Sequence, residues 1–262
     1  MLKDIDFAAL YRAHMARSGR QAKPASSWDA KAEQMSTEMS DSAYAKAFVA
    51  QVVCSEQDTV LDVGSGPGTI GLALAPKVKQ VYCLDYSAGM LAAMERNAAA
   101  LHITNAQPML ASWEDDWAKV PRCDIAVVSR ASIVADMADA LNKLNAIATK
   151  RVYLTQLVGG RFSSREMAEL LDRPDTSFPD HMYIINLLYQ RHIYPTLTYI
   201  EMPSRLAGAT NEAEFIDKVA NSFGPLSNEE QQKVAAWYQK WPDYAQQGGE
   251  PQRWALLSWT PA

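Results

Sequence analysis

Residues 60–69 read VLDVGSGPGT, and this stretch decides the predicted fold. Its first four residues have the character of a short buried strand, and three alternating glycines follow directly. Glycines let the backbone of such a turn pass close beneath a ligand, and the helix that follows directs free N–H groups toward it. A strand, a glycine turn and a helix in this order predict a nucleotide site at the carboxyl edge of a parallel sheet.

The spacing of the glycines distinguishes two classes of nucleotide site. A dinucleotide fingerprint, G-x-G-x-x-G, has its first glycine where the strand ends, and its third glycine would then fall on Thr69. The same pattern does occur from Gly66 to Gly71, but it begins two residues after the strand, and close packing explains a glycine there. The whole run D-x-G-x-G-x-G from Asp62 instead resembles the first motif of class I S-adenosylmethionine-dependent methyltransferases.

The second predicted strand ends in Asp85, roughly 20 residues past the glycine turn, where an acid commonly accepts the hydroxyls of a ribose. This acid does not discriminate between the classes, because NAD enzymes have it too. The residues from Asp85 to Leu91 resemble the methyltransferase pattern D-x-S-x-x-M-L. In that family the methionine, here Met90, flanks the adenine ring, although by itself it would be interpreted as a core residue. The resemblance implies S-adenosylmethionine as the cofactor.

The resemblance covers residues from about Trp28 to Leu157, and it implies where the cofactor lies. The exit of the third strand, at Ser112, Trp113 and Glu114, is where the family recognises adenine, although Glu114 also fits a solvated acidic loop. The fourth strand ends at Ser129 beside the first strand, so its loop should line the reactive end of the cofactor. The predicted cofactor-binding residues are Asp62, Gly64, Ser65, Gly66, Asp85, Tyr86, Met90, Ser112, Trp113, Glu114, Ser129 and Arg130.

Several residues are candidates for binding the methyl acceptor. Arg130 is a candidate for holding an anionic group of the substrate or the carboxylate of the cofactor. An aromatic-rich segment offers further candidates for acceptor binding or catalysis, namely His181, Tyr183, Tyr189, His192 and Tyr194. A sulfonium donor is already activated, so the protein mainly aligns the acceptor, and the sequence identifies no general base. We expect an N-terminal helix carrying Phe7, Tyr11 and His14 to roof the acceptor pocket together with residues 159–194.

Strands and helices alternate from Thr59 onward, which predicts an α/β fold with helices on both faces of a mostly parallel, Rossmann-like sheet. The resemblance implies seven strands, the last antiparallel between the fifth and the sixth. The predicted strands are Thr59–Val63, Gln80–Asp85, Gln107–Ala111, Cys123–Ser129, Arg151–Leu157, Thr196–Met202 and Trp254–Trp259. We divide the chain into an N-terminal helical cap or lid (1–53), a cofactor-binding core (54–158), a helical substrate-side insertion (159–195) and C-terminal strands with a helical insertion (196–262).

The composition favours a cytoplasmic enzyme that acts on a small molecule. No apolar run among the 262 residues reaches the length of a membrane span, and Cys54, Cys83 and Cys123 are interpreted as buried thiols. The four histidines show no metal-ligand spacing, so no metal is expected. A net charge of −5 without a basic run disfavours a nucleic-acid acceptor. A nicotinamide (NAD or NADP) oxidoreductase and a catalytically silent S-adenosylmethionine-binding protein remain as alternatives.

Overall fold

The structure of the protein is a computed structural model that describes residues 2–37, 42–174 and 177–261. Its strands are β1 (Thr59–Val63), β2 (Gln80–Asp85), β3 (Ala106–Leu110), β4 (Cys123–Val128), β5 (Ala148–Leu157), β6 (Thr196–Met202) and β7 (Gln252–Trp259). Within this part of the chain they form one seven-stranded sheet with the order β3-β2-β1-β4-β5-β7-β6.

Strands β1 to β5 pair in parallel, and β7 is antiparallel to both of its neighbours, β5 and β6. This arrangement confirms the predicted α/β fold class, including the number of strands and the position of the last one. The strand order reverses at β1, which lies between β2 and β4. The carboxyl ends of these three strands therefore border the crevice in which ligands of such sheets bind.

The helices pack on both faces of the sheet and along its carboxyl edge. They are α1 (Phe7–Arg17), α2 (Ala25–Asp29), α3 (Ala32–Thr37), α4 (Ala43–Val49), α5 (Gly71–Leu74), α6 (Ala88–Ala100), α7 (Met137–Ile147), α8 (Arg165–Leu170), α9 (His181–Gln190), α10 (Glu212–Phe223), α11 (Asn228–Lys240) and α12 (Pro242–Gln246). The sequence did not predict α12. Among the described residues, no helix combines the length and the apolar character that crossing a membrane requires.

The spacing of apolar residues predicts one helix over Trp28–Met39 and another over Ile133–Thr149, and the structure differs from both predictions. The first range contains the end of α2, a turn at Ala30 and Lys31, and then α3; Met39 itself lies outside the described residues. The helix predicted over Ile133–Thr149 corresponds to the shorter α7. Residues 148–150 belong to β5 instead, where Lys150 pairs with Asp124 of β4 and with Asp58, which directly precedes β1.

The buried apolar side chains of the described residues form a main core on the sheet, a second core at its edge and a small cluster of Ala32, Met90 and Ala93. The second core unites α8, which follows β5, with the three helices between β6 and β7. At its centre, the ring of Phe215 on α10 stacks on Trp237 of α11 with 5.4 Å between ring centroids. The insertion after β6 therefore packs against the insertion after β5, and both stand beside the carboxyl ends of the strands.

Candidate active site

The turn after β1 uses its three glycines for two different purposes. Gly64, Gly66 and Gly68 all have positive φ angles, of 68°, 54° and 91°. A Cβ at Gly64 would collide with the side chain of Ala131, and one at Gly68 would lie 2.7 Å from Leu72 Cγ. At Gly66 the nearest atom would be the Met90 sulfur, 4.0 Å away. Two glycines therefore permit close packing, while Gly66 leaves an open face to which a ligand has access.

Asp62 and Gly71 stabilise the turn on its buried side through a hydrogen bond. The backbone N–H of Gly71 donates to Asp62 Oδ2 over 2.8 Å, and a Cβ at Gly71 would lie 2.9 Å from the Cys83 sulfur. Close packing thus accounts for Gly71, which is the last glycine of the dinucleotide-like match. Burial raises the pKa of Asp62 to about 7, and the charge of Asp85 acts in the same direction. Asp62 supports the turn from the protein interior.

Asp85 lies at the end of β2, next to this turn. Its Oδ2 accepts the N–H of Gly66 at 2.8 Å, and its Oδ1 accepts the N–H of Ser87 at 2.9 Å. Burial raises the pKa of Asp85, although these backbone donors oppose the shift. A carboxylate oxygen has more than one lone pair, so both oxygens retain capacity for the hydroxyls of a ligand.

Ser65 is the polar side chain of the turn that lacks a partner. Its hydroxyl oxygen is buried, and it makes no hydrogen bond with any described residue. Buried hydroxyls are almost always hydrogen-bonded in folded proteins, so a buried hydroxyl without a partner requires a structural explanation. Its position beside the open face of Gly66 supplies one, because a bound polar ligand would provide the missing partner. The residues of the turn therefore fit a nucleoside-containing cofactor.

Residues 18–37, which we call the strap, pack beside this site against Tyr86 and the first residues of α6. Asp29 of the strap accepts hydrogen bonds from the Ser87 hydroxyl at 2.6 Å and from the Gly89 N–H at 2.9 Å. The hydroxyl of Tyr86 donates to the carbonyl of Lys23 at 2.9 Å, and Met90 packs against α3. The sequence contains no signal for Asp29 at this position, because its partners lie some sixty residues further along the chain.

The predicted adenine contacts are engaged with one another and with neighbouring loops. The Ser112 N–H donates to an oxygen of Asp115 at 2.8 Å. The Trp113 indole N–H donates to the carbonyl of Ala131 at 3.0 Å, so this ring connects the exit of β3 to the exit of β4. It also stacks on Trp117, with 5.1 Å between ring centroids. Glu114 is exposed at the surface of the same loop.

The exit of β4 is held by two residues that sequence reasoning did not include. The hydroxyl of Tyr44, on α4, lies 2.8 Å from Thr155 Oγ1 and accepts from Ser129 at 3.3 Å. Thr155 also accepts the backbone N–H of Arg130, whose φ is 56°. The Arg130 guanidinium then lies over the Tyr44 ring, 4.4 Å from its centroid. Ser129 and Arg130 are therefore fixed beside the glycine turn through Ala131.

The structure separates His181 from Tyr183. The Tyr183 hydroxyl lies 3.2 Å from His14 Nδ1 of α1. Its ring meets Tyr11 edge-on, with 5.8 Å between centroids. His181 is buried against Tyr199 of β6, and burial lowers the pKa of its imidazole. No described contact joins either of these side chains to Arg130. Helix α1 does reach the loop after β4, because Tyr11 donates to the carbonyl of Val134 at 2.8 Å.

Comparisons with known proteins agree with this geometry. A family model described as a methyltransferase domain matches residues 60–150, which extend from β1 into β5. An uncharacterized protein of Haemophilus influenzae is 34% identical over 263 residues, covering 98% of this chain and 97% of that protein. An uncharacterized RNA methyltransferase of Streptococcus mutans is 44% identical over 63 residues, covering 21% of this chain and 14% of that protein.

A solved structure of coclaurine N-methyltransferase, bound to N-methylheliamine and S-adenosylhomocysteine, shares the fold with a TM-score of 0.53. Its sequence is 13% identical, and the match covers 98% of this chain and 96% of that one. At this identity the likeness concerns the arrangement of strands and helices. The family model shows that residues 60–150 form a methyltransferase domain, and the solved structure shows that the chain has the Rossmann-like fold of class I methyltransferases.

Proposed function

We propose that the protein binds S-adenosylmethionine against the glycine turn and transfers its methyl group to a small-molecule acceptor. The observation that carries the proposal is the buried Ser65 hydroxyl, which lacks a partner beside the open face of Gly66. Asp85 would accept the ribose hydroxyls, and Met90 and Trp113 would border the adenine. When bound, the cofactor supplies an activated methyl group. The chain's own residues then have to orient the acceptor and exclude water.

Two observations support a small-molecule acceptor. The protein as a whole carries a net charge of −5, which does not favour binding to the phosphate backbone of a nucleic acid. The match to the streptococcal RNA methyltransferase covers only 14% of that protein, whereas coclaurine N-methyltransferase, solved with N-methylheliamine, matches over nearly the whole chain. We further place the enzyme in the cytoplasm, because Cys54, Cys83 and Cys123 are free thiols.

Isothermal titration calorimetry with S-adenosylhomocysteine, NAD and NADP tests the cofactor. We expect S-adenosylhomocysteine to bind and the two nicotinamide dinucleotides not to bind. The reverse ranking would overturn the proposal in favour of an oxidoreductase. Transfer of labelled methyl groups from S-adenosylmethionine to the low-molecular-weight fraction of a cell extract tests the acceptor class. Label in RNA or protein alone would contradict a small-molecule acceptor, and binding without any transfer would indicate a silent cofactor-binding protein.

A further inference from the structure

A second concave site lies beyond the end of β5. It is a cavity of about 480 Å³ whose walls include Arg20 of the strap, Phe162, Phe178, Arg205 and Lys218. Its rim is held by the turn after β5, because the Phe178 N–H donates to the carbonyl of Gly160 at 2.8 Å. A volume of this size suits one small organic molecule rather than a macromolecular segment.

Two guanidinium groups share the aromatic wall of this cavity. The Arg20 guanidinium carbon lies 5.0 Å from the centroid of Phe162 and 4.9 Å from that of Phe178. The Arg205 guanidinium carbon lies 4.7 Å from the Phe162 centroid. Cation–π contacts of this kind orient a guanidinium group while leaving its N–H donors available. The two arginines are therefore held side by side, with Lys218 on the neighbouring wall.

A third arginine extends this cationic cluster toward the cofactor turn. Burial, and then the charge of Arg205, lower the pKa of Arg20, and burial followed by the charge of Arg130 does the same for Arg205. Arg205 therefore lies within electrostatic range of both Arg20 and Arg130, which come from different parts of the chain. Arg130 precedes Ala131, whose side chain abuts Gly64 of the glycine turn. The cluster consequently spans the distance from the proposed cofactor site to the cavity.

No carboxylate of the described residues compensates these charges. Within residues 2–37, 42–174 and 177–261, none of Arg20, Arg130 and Arg205 has an aspartate or glutamate at ion-pair distance, although Arg12 and Arg253 each pair with one. The three arginines are exposed to solvent, but like charges near one another still repel, and an anion placed between them would relieve that repulsion. The planar donor fork of arginine matches the oxygen geometry of carboxylates and phosphates.

We propose that this arginine-lined cavity binds the anionic group, a carboxylate or a phosphate, of the small-molecule acceptor. The identification of the bound molecule as an acceptor rests on the proposed function, whereas anion binding itself does not. An anionic group anchored by Arg20 and Arg205 leaves the rest of the molecule to extend past Arg130 toward the glycine turn. The cavity would thereby select acceptors by charge and fix their orientation for transfer.

Calorimetric titration of the full-length protein with citrate and with inorganic pyrophosphate tests the anion site. The two probes distinguish carboxylate from phosphate recognition, and both are titrated at constant ionic strength with and without saturating S-adenosylhomocysteine. We expect at least one probe to bind, with an affinity at least tenfold lower in Arg205→Gln and in Arg20→Gln. Arg122→Gln provides the matched control, because this exposed arginine precedes β4 at the opposite edge of the sheet. Arg205→Lys should retain part of the affinity, since it keeps the charge but loses the fork.

Three results would overturn the proposal. The first is the absence of binding for both probes, or equal binding by wild type, Arg205→Gln and Arg20→Gln. The second is complete displacement of the probe by S-adenosylhomocysteine, because the cluster would then hold the carboxylate of the cofactor. The third is tighter binding of a single-stranded RNA oligomer at the same arginines. A failure of S-adenosylhomocysteine to bind would instead contradict the proposed function, while the probe titrations still measure the anion site.

Discussion

The carboxylate of Asp85 accepts the backbone N–H of Gly66 at 2.8 Å, which ties the end of β2 to the turn after β1. The same carboxylate accepts the N–H of Ser87 just before α6. One side chain therefore sets the relative position of the open face of Gly66 and the start of the helix that carries Met90. An acid expected only to bind a ribose also holds the walls of its own site together.

Replacing Asp85 should affect both binding and stability. In Asp85→Ala the ribose hydroxyls lose charge-assisted acceptors, so we expect the affinity for S-adenosylhomocysteine to fall at least tenfold. Two backbone N–H groups also lose their acceptor, which costs roughly 1–3 kcal/mol for each group that stays buried and unpaired. Calorimetry measures the first effect and urea unfolding without ligand measures the second. An unchanged affinity combined with lower stability would show that Asp85 serves only to tie the turn.

Replacing Ser65 should separate binding from stability. Ser65→Ala removes a buried hydroxyl that has no partner in the protein, so the unfolding free energy without ligand should be unchanged or slightly higher. The affinity for S-adenosylhomocysteine should fall about three- to tenfold, because one hydrogen bond to the ligand is lost. Ser55→Ala, at an exposed serine ahead of β1, is the control for ligand affinity and should leave that affinity unchanged. Equal affinity in Ser65→Ala and wild type would contradict the assignment of the Ser65 hydroxyl to the ligand.

Asp62 should make stability depend on pH. The pKa of Asp62 is about 7 in the folded protein and near 3.8 in the unfolded chain. At a pH between these two values, the folded state retains a proton on Asp62 that the unfolded state has lost. The contribution of Asp62 to stability therefore decreases as the pH rises from about 4 to about 7, by at most about 1.4 kcal/mol per pH unit, and then levels off. In Asp62→Asn this contribution is absent, and the amide oxygen can still accept the Gly71 N–H.

Urea unfolding of Asp62→Asn and wild type at several pH values measures this difference. The stability of the variant relative to wild type should increase by about 2 kcal/mol between pH 5 and pH 6.5. Above pH 7.5 the difference should stay constant. Parallel stability profiles for the two proteins across this range would show that Asp62 is ionised in the folded state.

The strap should loosen when Asp29 is removed. Asp29→Ala deprives the Ser87 hydroxyl and the Gly89 N–H of their shared acceptor. We expect trypsin to cleave after Arg20 or Lys31 at least severalfold faster than in wild type, while the rest of the chain resists cleavage. Glu33→Ala is the matched control within the strap, because the pair of Glu33 with Arg96 is exposed and contributes little. Equal cleavage rates for Asp29→Ala and Glu33→Ala would contradict the role of Asp29 in fastening the strap.

Removal of one hydroxyl should weaken the attachment of α1. In Tyr11→Phe the buried carbonyl of Val134 loses its donor, which we expect to lower the unfolding free energy by about 1–3 kcal/mol. Tyr194→Phe, at an exposed tyrosine, should have no measurable effect. Chemical denaturation compares the two variants directly. A loss in both variants or in neither would contradict the attachment of α1 through this hydrogen bond.

The sequence by itself determined the sheet and the place of the cofactor turn. The alternation of apolar strands with helices and the glycines at residues 64–68 are local patterns, since strand propensity and positive φ angles depend on neighbouring residues. For this reason β1, β2 and β6 begin and end at the predicted residues, and the strand order follows the family pattern. The acids at the ends of β1 and β2 were identified by the same local reasoning.

Only the tertiary structure decided which distant residues complete the site. Asp29 approaches Ser87, Tyr44 approaches Ser129, and Arg20 meets Arg205 across Phe162, through contacts between segments far apart in the chain. Such contacts leave no periodicity or spacing in the sequence, because the packing of whole elements brings the partners together. The candidates His181 and Tyr183 illustrate the same limit, since α9 directs the first side chain toward β6 and the second toward α1.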